Sequence, residues 1–271
     1  MEPIDVIVLA GFQQGKPDLL AEYTGSPRKA LAPLAGKPMA WHVVHALRAA
    51  PSVRDIIVVG IAPDEGVDLG TPVTFVRNQS GLLDNVYAGF DVVLRQHPSS
   101  KLALIASADI PLLTPDVVEW FVATCLRTQD DVYYAVVPKA VMETAFPASK
   151  RSYIRFREGP HCGGDLFMVR LEAAHRSESL VRAAMDRRKS AWRQALLMGV
   201  GTLIKFALGR LTMPDAERVA SRMFQARGRV VIAPYAAIGM DVDKPFQYDI
   251  VRQAIEGAGA RPQPASPAAH S

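Results

Sequence analysis

The chain has 271 residues, of which 49% are hydrophobic and 21% charged, a balance typical of a soluble globular protein. Its formal net charge of +4 is compatible with a phosphate-bearing ligand but too diffuse to indicate nucleic-acid binding. The two cysteines, Cys125 and Cys162, form neither a metal motif nor a disulfide framework, and the N-terminus lacks a signal-peptide pattern. We therefore expect a cytoplasmic protein that does not bind nucleic acid.

Apolar strands alternate with amphipathic helices through the first half of the chain. Strands are predicted at residues 6–10, 56–59, 73–76 and 102–106, and helices over 39–50, over 82–93 and after 114–116. Continuous apolar runs suit strands that are buried on both faces of a parallel sheet. This alternation predicts an α/β fold with a doubly wound, mostly parallel sheet.

The second half of the chain is less regular. Strands are predicted at residues 132–137, 152–157, 166–169 and 230–233, and a last helix after residue 245. A helical insertion is expected from about 178 to 227. We expect a single domain over residues 1–257 and a disordered tail over 258–271, which is rich in proline, alanine, glycine and serine.

A glycine and two lysines surround the end of the first strand. Gly11 directly follows that strand, and a glycine there lets backbone N–H groups approach an anionic group. Lys29 and Lys37 add positive charge on the far side of the loop. An ordinary connection between a strand and a helix has the same pattern, so these residues alone leave both interpretations open.

Three acidic residues are candidates for a metal site. Asp109 lies just past a buried strand, where open α/β sheets bind ligands, although an aspartate that bonds its own turn is an equal alternative. Asp241 and Asp243 share one face if their segment is extended. Carboxylates in this arrangement suit Mg²⁺. The alternative for Asp243 is that it caps the last helix.

These pieces together resemble a known family. Leu9-Ala10-Gly11, followed by Lys29-Ala30-Leu31 and by residues 33–38, is similar to the signature of nucleotidyltransferases with a GT-A-type, Rossmann-like fold. The MobA-like branch, which contains molybdenum cofactor guanylyltransferase and cytidylyltransferase, is the most similar. Residues 108–111 resemble the metal-binding turn of that family, and residues 241–245 resemble its later acidic segment.

Two further segments extend the resemblance. Gly163-Gly164-Asp165 is similar to the Gly-Gly-Asn turn of the family, with aspartate in place of asparagine, although Gly163-Gly164 could also be a strand-entry turn. Residues 78–89 resemble the segment that meets the base and the ribose. The glycine loop differs, because residues 12–16 replace the second glycine and the arginine that are usual there. Lys16 is the predicted substitute for that arginine.

The resemblance implies an Mg²⁺-dependent transfer of a nucleoside monophosphate from a nucleoside triphosphate to a phosphate-bearing acceptor, with release of pyrophosphate. It implies catalytic roles for Lys29 and Asp109, and a metal site of Asp109 and Asp243 with Asp241 in reserve. The implied nucleotide-binding residues are Leu9, Ala10, Gly11, Lys16, Lys29, Asn78, Gly81, Asn85, Ala108 and Asp109. The implied acceptor-binding residues are Gly163, Gly164 and Asp165.

The nucleotide expected from this resemblance is GTP or CTP, and the acceptor is a phosphorylated small molecule or a lipid-linked phosphate. Two alternatives remain at this point, a GT-A glycosyltransferase that uses a nucleotide-sugar and a non-catalytic nucleotide-binding module. Within residues 192–208 the core 195–204 is apolar nearly all round, but the segment is too short for a membrane span and is interrupted by Arg193, Gln194 and Lys205. In one hypothesis residues 192–208 pack over the sheet or into a homodimer interface. In the other hypothesis they line an acceptor pocket or contact a membrane surface peripherally.

Overall fold

The computed structural model of the chain describes residues 2–13, 15–187 and 200–257. The strands are β1 (Ile4–Leu9), β2 (Pro33–Leu34), β3 (Lys37–Pro38), β4 (Val53–Val59), β5 (Thr74–Val76), β6 (Leu102–Ser107), β7 (Val132–Pro138), β8 (Ile154–Phe156), β9 (Gly159–Arg170) and β10 (Gly228–Ile232). The helices are α1 (Leu19–Thr24), α2 (Met39–Arg48), α3 (Leu82–Gln96), α4 (Pro115–Cys125), α5 (Lys139–Ala145), α6 (Leu171–Arg187), α7 (Val200–Ala207), α8 (Met213–Phe224) and α9 (Pro245–Glu256).

The main sheet has eight strands, seven of them in the order β10-β7-β9-β6-β1-β4-β5, with β8 paired to β9. Strand β1 is parallel to both of its neighbours, β4 and β6, and β10 is parallel to β7. Strand β9 is antiparallel to β6 and β7. The predicted doubly wound, mostly parallel sheet is therefore confirmed, with β9 as the element that makes it mixed.

The core occupies both faces of this sheet. Because successive strand residues point to opposite faces, Val6 and Val8 join one apolar cluster with α2 and α4, while Ile7 joins another with α3. All three side chains are fully buried. Strand β1 is thus covered on both faces, which accounts for its uninterrupted apolar sequence.

The helical region after β9 differs in extent from the expected insertion. Helix α6 begins at Leu171, immediately after β9, and β10 returns the chain to the sheet at Gly228. Residues 188–199, which include part of the predicted apolar segment 192–208, lie outside the described residues, as does the predicted tail 258–271. In the described part of that segment Phe206 and Leu208 are exposed. None of the helices within residues 2–187 and 200–257 is long and apolar enough to cross a bilayer.

One buried charge lies at the amino-terminal edge of the sheet. Asp5 on β1 is fully buried, and Arg54 on β4 donates to its two carboxylate oxygens at 2.8 and 2.6 Å. The hydroxyl of Ser100, just before β6, donates to the same carboxylate at 2.9 Å. The Asp5 carboxylate therefore ties together three adjacent strands of the sheet.

Arg54→Met should lower the free energy of unfolding by about 3–5 kcal/mol, because the buried Asp5 carboxylate loses the guanidinium that donates to both of its oxygens. Urea unfolding followed by circular dichroism measures the loss. Arg77→Met is the matched control, since Arg77 and Asp64 form an ion pair in which both side chains are 66% exposed. That substitution should cost no more than about 1 kcal/mol. Equal losses in the two variants would contradict a structural role for the buried pair.

Candidate active site

The glycine loop after β1 is held by two asparagines. A Cβ atom on Gly11 would lie 2.2 Å from Asn85 Nδ2 and 2.9 Å from Asn78 Oδ1, so a larger residue does not fit. The Phe12 N–H donates to Asn78 Oδ1 at 3.1 Å, and Asn78 Nδ2 donates to the Phe12 carbonyl at 3.0 Å. Asn78 therefore fixes the path of the loop, while Asn85 packs against Gly11 and donates to Asn78 Oδ1 at 3.1 Å. Both were predicted as nucleotide-binding residues.

A polar cleft opens beside this loop. It has a volume of about 390 Å³ and is lined by Phe12, Asn78, Gln79 and Ser80. Asn85 Oδ1 accepts the Gln79 N–H at 2.7 Å, which connects the cleft wall to α3. Gly81 is the residue that immediately precedes α3, next to Ser80. The cleft therefore lies between the glycine loop and the start of α3.

Arg28 supports the loop from inside the protein, a role that the sequence did not reveal. Its guanidinium is buried, donates to the Gly60 carbonyl at 3.0 Å and forms an ion pair with Glu65. It also lies 5.2 Å from the centre of the Phe12 ring. Burial lowers the pKa of Arg28. Its position next to Lys29 in the signature was the only sequence signal for it.

Lys29 lies between two carboxylates. Its Nζ donates to Asp109 Oδ2 at 2.5 Å and to Asp243 Oδ1 at 2.6 Å, although these residues are 80 and 214 positions away in the chain. Burial opposes the charge of the ammonium group, but the two carboxylates outweigh that effect and raise the pKa of Lys29. Lys29 is therefore a fixed positive charge at this site.

Backbone hydrogen bonds explain why these residues meet. Strands β1 and β6 are neighbours in the sheet, and the Ala108 N–H donates to the Leu9 carbonyl at 3.0 Å. The Val242 N–H in turn donates to the Asp109 carbonyl at 2.9 Å. The segments that end β1, follow β6 and precede α9 therefore meet at one edge of the sheet. The structure brings together Leu9, Ala10, Gly11, Lys29, Ala108, Asp109 and Asp243 at that edge.

Asp243 does not cap the last helix, so that alternative is wrong. The N–H groups of Asp243 and Lys244 instead donate to Gln247 Oε1, at 3.0 and 2.9 Å. The Asp243 carboxylate is left to face Lys29. Although burial works against ionisation, the Lys29 ammonium holds the pKa of Asp243 below its ordinary range.

Asp241, the reserve ligand, is engaged elsewhere. It forms a largely buried ion pair with Arg151, a residue that the sequence analysis did not single out. Burial raises the pKa of Asp241 even though the Arg151 guanidinium opposes this shift. The local sequence of Arg151 carries no signal for this contact, because the partner lies in a distant segment. Asp241 thus belongs to the carboxylate cluster but does not contact Lys29.

Asp165 joins the same cluster from β9. Burial, together with the nearby carboxylates of Asp109 and Asp241, raises the pKa of Asp165 to about 8. At neutral pH the side chain is therefore a protonated, uncharged acid. In that state it offers one donor and one acceptor, as the asparagine amide of the resembled turn does.

Gly163 and Gly164 lie inside β9, so the interpretation as a strand-entry turn is wrong. The pairing of β7 with β9 shifts register between Tyr134 and Val136, where Gly164 and Asp165 fall on β9. A Cβ on Gly163 would lie 2.2 Å from the Tyr134 hydroxyl, and one on Gly164 would lie 2.6 Å from a methyl group of Ile238. Both positions require glycine because of close packing.

Lys16 is not brought to the carboxylates by any contact in the structure. Its N–H donates to the Gln13 carbonyl at 3.3 Å, and its side chain is exposed. Among the described residues, no hydrogen bond or ion pair joins its amino group to Lys29, Asp109 or Asp243. The role of Lys16 as a substitute for the missing arginine stays a prediction.

The carboxylates fit a divalent cation. Asp109 Oδ1 is buried and has no hydrogen-bond partner among the residues that the structure describes. Asp109 Oδ2 and Asp243 Oδ1 both contact one ammonium, so these oxygens lie within about two hydrogen-bond lengths of each other. Oxygen atoms of ionised carboxylates are the ligands that Mg²⁺ prefers. Of the three candidate acids, Asp109 and Asp243 therefore have oxygens near a common cation position, which the Lys29 ammonium occupies in this structure.

The chain resembles known proteins in both sequence and structure. Residues 7–195 match the MobA-like NTP transferase domain. A solved structure of a hypothetical transferase from Thermus thermophilus is 32% identical, with a TM-score of 0.80, and the alignment covers 92% of this chain and 100% of that one. A second structure, a CMP:2-keto-3-deoxy-manno-octonic acid synthetase complexed with CTP, is 15% identical, with a TM-score of 0.54 and coverage of 95% and 99%. This second likeness shows the fold alone.

Among the curated proteins, the bifunctional protein GlmU of Rhodospirillum rubrum is 29% identical over 140 residues. The alignment covers 49% of this chain and only 28% of the length of that relative. The family match covers well over half of the chain and includes the glycine loop, Lys29, Asp109 and Asp165. The resemblance seen in the sequence is confirmed: the chain belongs to the MobA-like NTP transferase family, a family of nucleotidyltransferases.

Proposed function

We propose that this protein transfers a nucleoside monophosphate from a nucleoside triphosphate to a phosphate-bearing acceptor and releases pyrophosphate. The main support for the proposal is that the Lys29 ammonium lies between the Asp109 and Asp243 carboxylates, beside the Gly11 loop. An oxygen of the acceptor phosphate attacks the α-phosphorus, and the bond from that phosphorus to the pyrophosphate oxygen breaks. Such chemistry depends on positioning and charge neutralisation rather than on a covalent enzyme intermediate.

The residues around the loop supply these two requirements. The loop at Gly11 is assigned to phosphate oxygens through those of its backbone N–H groups that are not already bonded, as the Phe12 N–H is to Asn78. The Lys29 ammonium neutralises charge that develops on the transferring phosphate. Asp109 and Asp243 would hold Mg²⁺, which when bound supplies further positive charge to the phosphate oxygens.

Binding of the substrates is assigned to two regions. The cleft lined by Phe12, Asn78, Gln79 and Ser80 is the proposed site for the base and ribose of GTP or CTP. The structural neighbour complexed with CTP supports a nucleoside triphosphate as the ligand of this cleft. Gly163, Gly164 and Asp165 are proposed to meet the acceptor, because Asp165 lies beside Asp109.

A glycosyltransferase that uses a nucleotide-sugar is the weaker alternative. Membership of a nucleotidyltransferase family disfavours it, and so does a lysine fixed where a triphosphate would be activated. A non-catalytic module is disfavoured because Asp109, Lys29 and Asp243 are all retained and in contact. Peripheral membrane contact or dimerisation through residues 192–208 stays a prediction.

Lys29→Ala should lower kcat by about 10²–10³-fold while changing the nucleotide KM by less than about tenfold, because a charge aimed at the transition state acts mainly on the rate. Steady-state pyrophosphate release measures both constants. Lys101→Ala is the control, since Lys101 is exposed and precedes β6 at the opposite edge of the sheet. A variant that keeps its kcat and loses only nucleotide affinity would make Lys29 a positioning residue.

Asp109→Asn and Asp243→Asn should each weaken Mn²⁺ binding by at least about tenfold, because each removes one anionic oxygen ligand. Mn²⁺ serves as the spectroscopic substitute for Mg²⁺, and the free-ion electron paramagnetic resonance signal reports binding. Asp116→Asn removes an exposed carboxylate at the start of α4 and should leave Mn²⁺ binding unchanged. Undiminished binding in both active-site variants would refute the metal assignment.

Asp165→Asn should raise the melting temperature by several degrees at pH 8, and by much less near pH 5. The pKa of Asp165 is about 8 in the folded protein, against about 4 when unfolded. The folded state therefore loses stability as pH rises from 4 through 8, and the asparagine variant avoids this loss. Scanning calorimetry in EDTA measures the difference, with the exposed Asp91→Asn as the control. If the difference in melting temperature between Asp165→Asn and the wild type does not grow with pH, Asp165 is ionised in the folded protein.

A further inference from the structure

An apolar cavity lies against the face of the sheet that α3 covers. The described residues enclose a volume of about 480 Å³ that is open to solvent on one side. Its floor is formed by strands β6, β7, β9 and β10. The floor residues include Ile105, Val132, Val136, Phe167, Val169 and Val230.

Helices α3, α6 and α8 form the roof of this cavity. Its lining there includes Phe90, Ala174, Val181, Ala216, Ala220 and Phe224. Two charged residues of the lining have partners, since the Glu217 carboxylate accepts the Val230 N–H at 2.7 Å and Arg229 donates to Asp130 at 2.8 Å. The buried Ser177 hydroxyl is a polar group of the lining that has no partner among the described residues. Packed protein interiors contain few voids larger than a water molecule. A space of this size and composition is therefore a pocket for an apolar group.

One end of the cavity lies on β9 close to Asp165. Gly163 and Tyr134 line this end, and Asp165 is two residues after Gly163 on the same strand. The Tyr134 hydroxyl lies over Gly163, since a Cβ on that glycine would be 2.2 Å from the hydroxyl oxygen. The Tyr134 ring stacks on Phe167, with centroids 4.8 Å apart, and so continues into the apolar floor.

The absence of a side chain at Gly163 leaves room for the Tyr134 ring at this end. A Cβ there would contact the Tyr134 hydroxyl, so any larger residue would displace the ring. The cavity then extends across four adjacent strands, from β6 to β10. At the usual strand spacing this distance is roughly 14 Å. Such an elongated apolar shape suits an extended chain better than a compact ring system.

We propose that this cavity binds the hydrocarbon chain of the acceptor, whose terminal phosphate then lies at the Asp165 end, beside Asp109 and Lys29. The inference rests on the proposed function and specifies its acceptor as a single-chain alkyl or prenyl phosphate. The apolar chain provides binding energy remote from the reacting phosphate, and the cavity orients that phosphate towards the triphosphate.

The first test is equilibrium binding without any nucleotide. Isothermal titration calorimetry with butyl, hexyl, octyl and decyl phosphate, each below its micelle concentration, measures how affinity depends on chain length. Affinity should rise by up to about fourfold per methylene until the cavity is filled. Equal affinities for butyl and decyl phosphate would overturn the proposal, as would occupation of the cavity by residues 188–199.

Ala220→Phe should fill the cavity and reduce the dependence of affinity on alkyl chain length. Ala123→Phe is the matched control, because Ala123 is exposed on α4 at the opposite face of the sheet, and its series should equal that of the wild type. Melting temperatures identify variants that fail to fold, and Ala216→Phe then provides a second cavity-filling variant. If a folded cavity-filling variant keeps the wild-type dependence of affinity on alkyl chain length, the hydrocarbon chain binds elsewhere and the proposal is contradicted.

Measuring pyrophosphate release distinguishes a failure of the cavity assignment from a failure of the proposed function. Chain-length-dependent binding without pyrophosphate release from any nucleoside triphosphate would support the cavity assignment and refute the transfer reaction. Release with butyl phosphate as readily as with decyl phosphate would support the reaction and refute the cavity assignment.

Discussion

The contact of the Lys29 ammonium with two carboxylates is the interaction on which the active-site edge depends. Four acids, Asp109, Asp165, Asp241 and Asp243, are gathered where their mutual repulsion would be severe without compensation. Lys29 neutralises part of this charge directly. The remainder is relieved in two ways: Arg151 pairs with Asp241, and Asp165 keeps its proton at neutral pH.

This arrangement gives the acids different chemical states within one small region. The pKa of Asp243 is lowered, mainly by Lys29 acting against burial, while the pKa of Asp165 is raised by burial and neighbouring charge. An ionised acid can hold a cation, whereas a protonated acid can donate a hydrogen bond. The site can therefore offer metal ligands and a neutral hydrogen-bonding group side by side. These are the functions that a nucleotide and a phosphate acceptor require from neighbouring positions.

The sequence allowed the sheet, and the strand end that carries Asp109, to be predicted for a physical reason. Strand β1 is buried on both faces, so its run of apolar residues was unambiguous, and Asp109 directly follows a strand of the same kind. The register shift in β9 could not be predicted, since Gly163-Gly164 has the same local pattern in a turn and in a strand. Arg28 and Arg151 were missed because their partners, Glu65 and Asp241, lie in distant segments. No pattern in the neighbouring sequence therefore indicates these ion pairs.

We propose that Lys29 and the carboxylates organise transfer of the α-phosphate of a nucleoside triphosphate. Parallel reactions with CTP and GTP, labelled either at the α- or at the γ-phosphorus, test this role most directly when a panel of acceptor phosphates is offered. We expect the α-label to enter the acceptor product and the γ-label to leave in pyrophosphate, and we expect neither without acceptor. Transfer of the γ-label to the acceptor, or retention of both labels in intact triphosphate with every acceptor, would contradict this role.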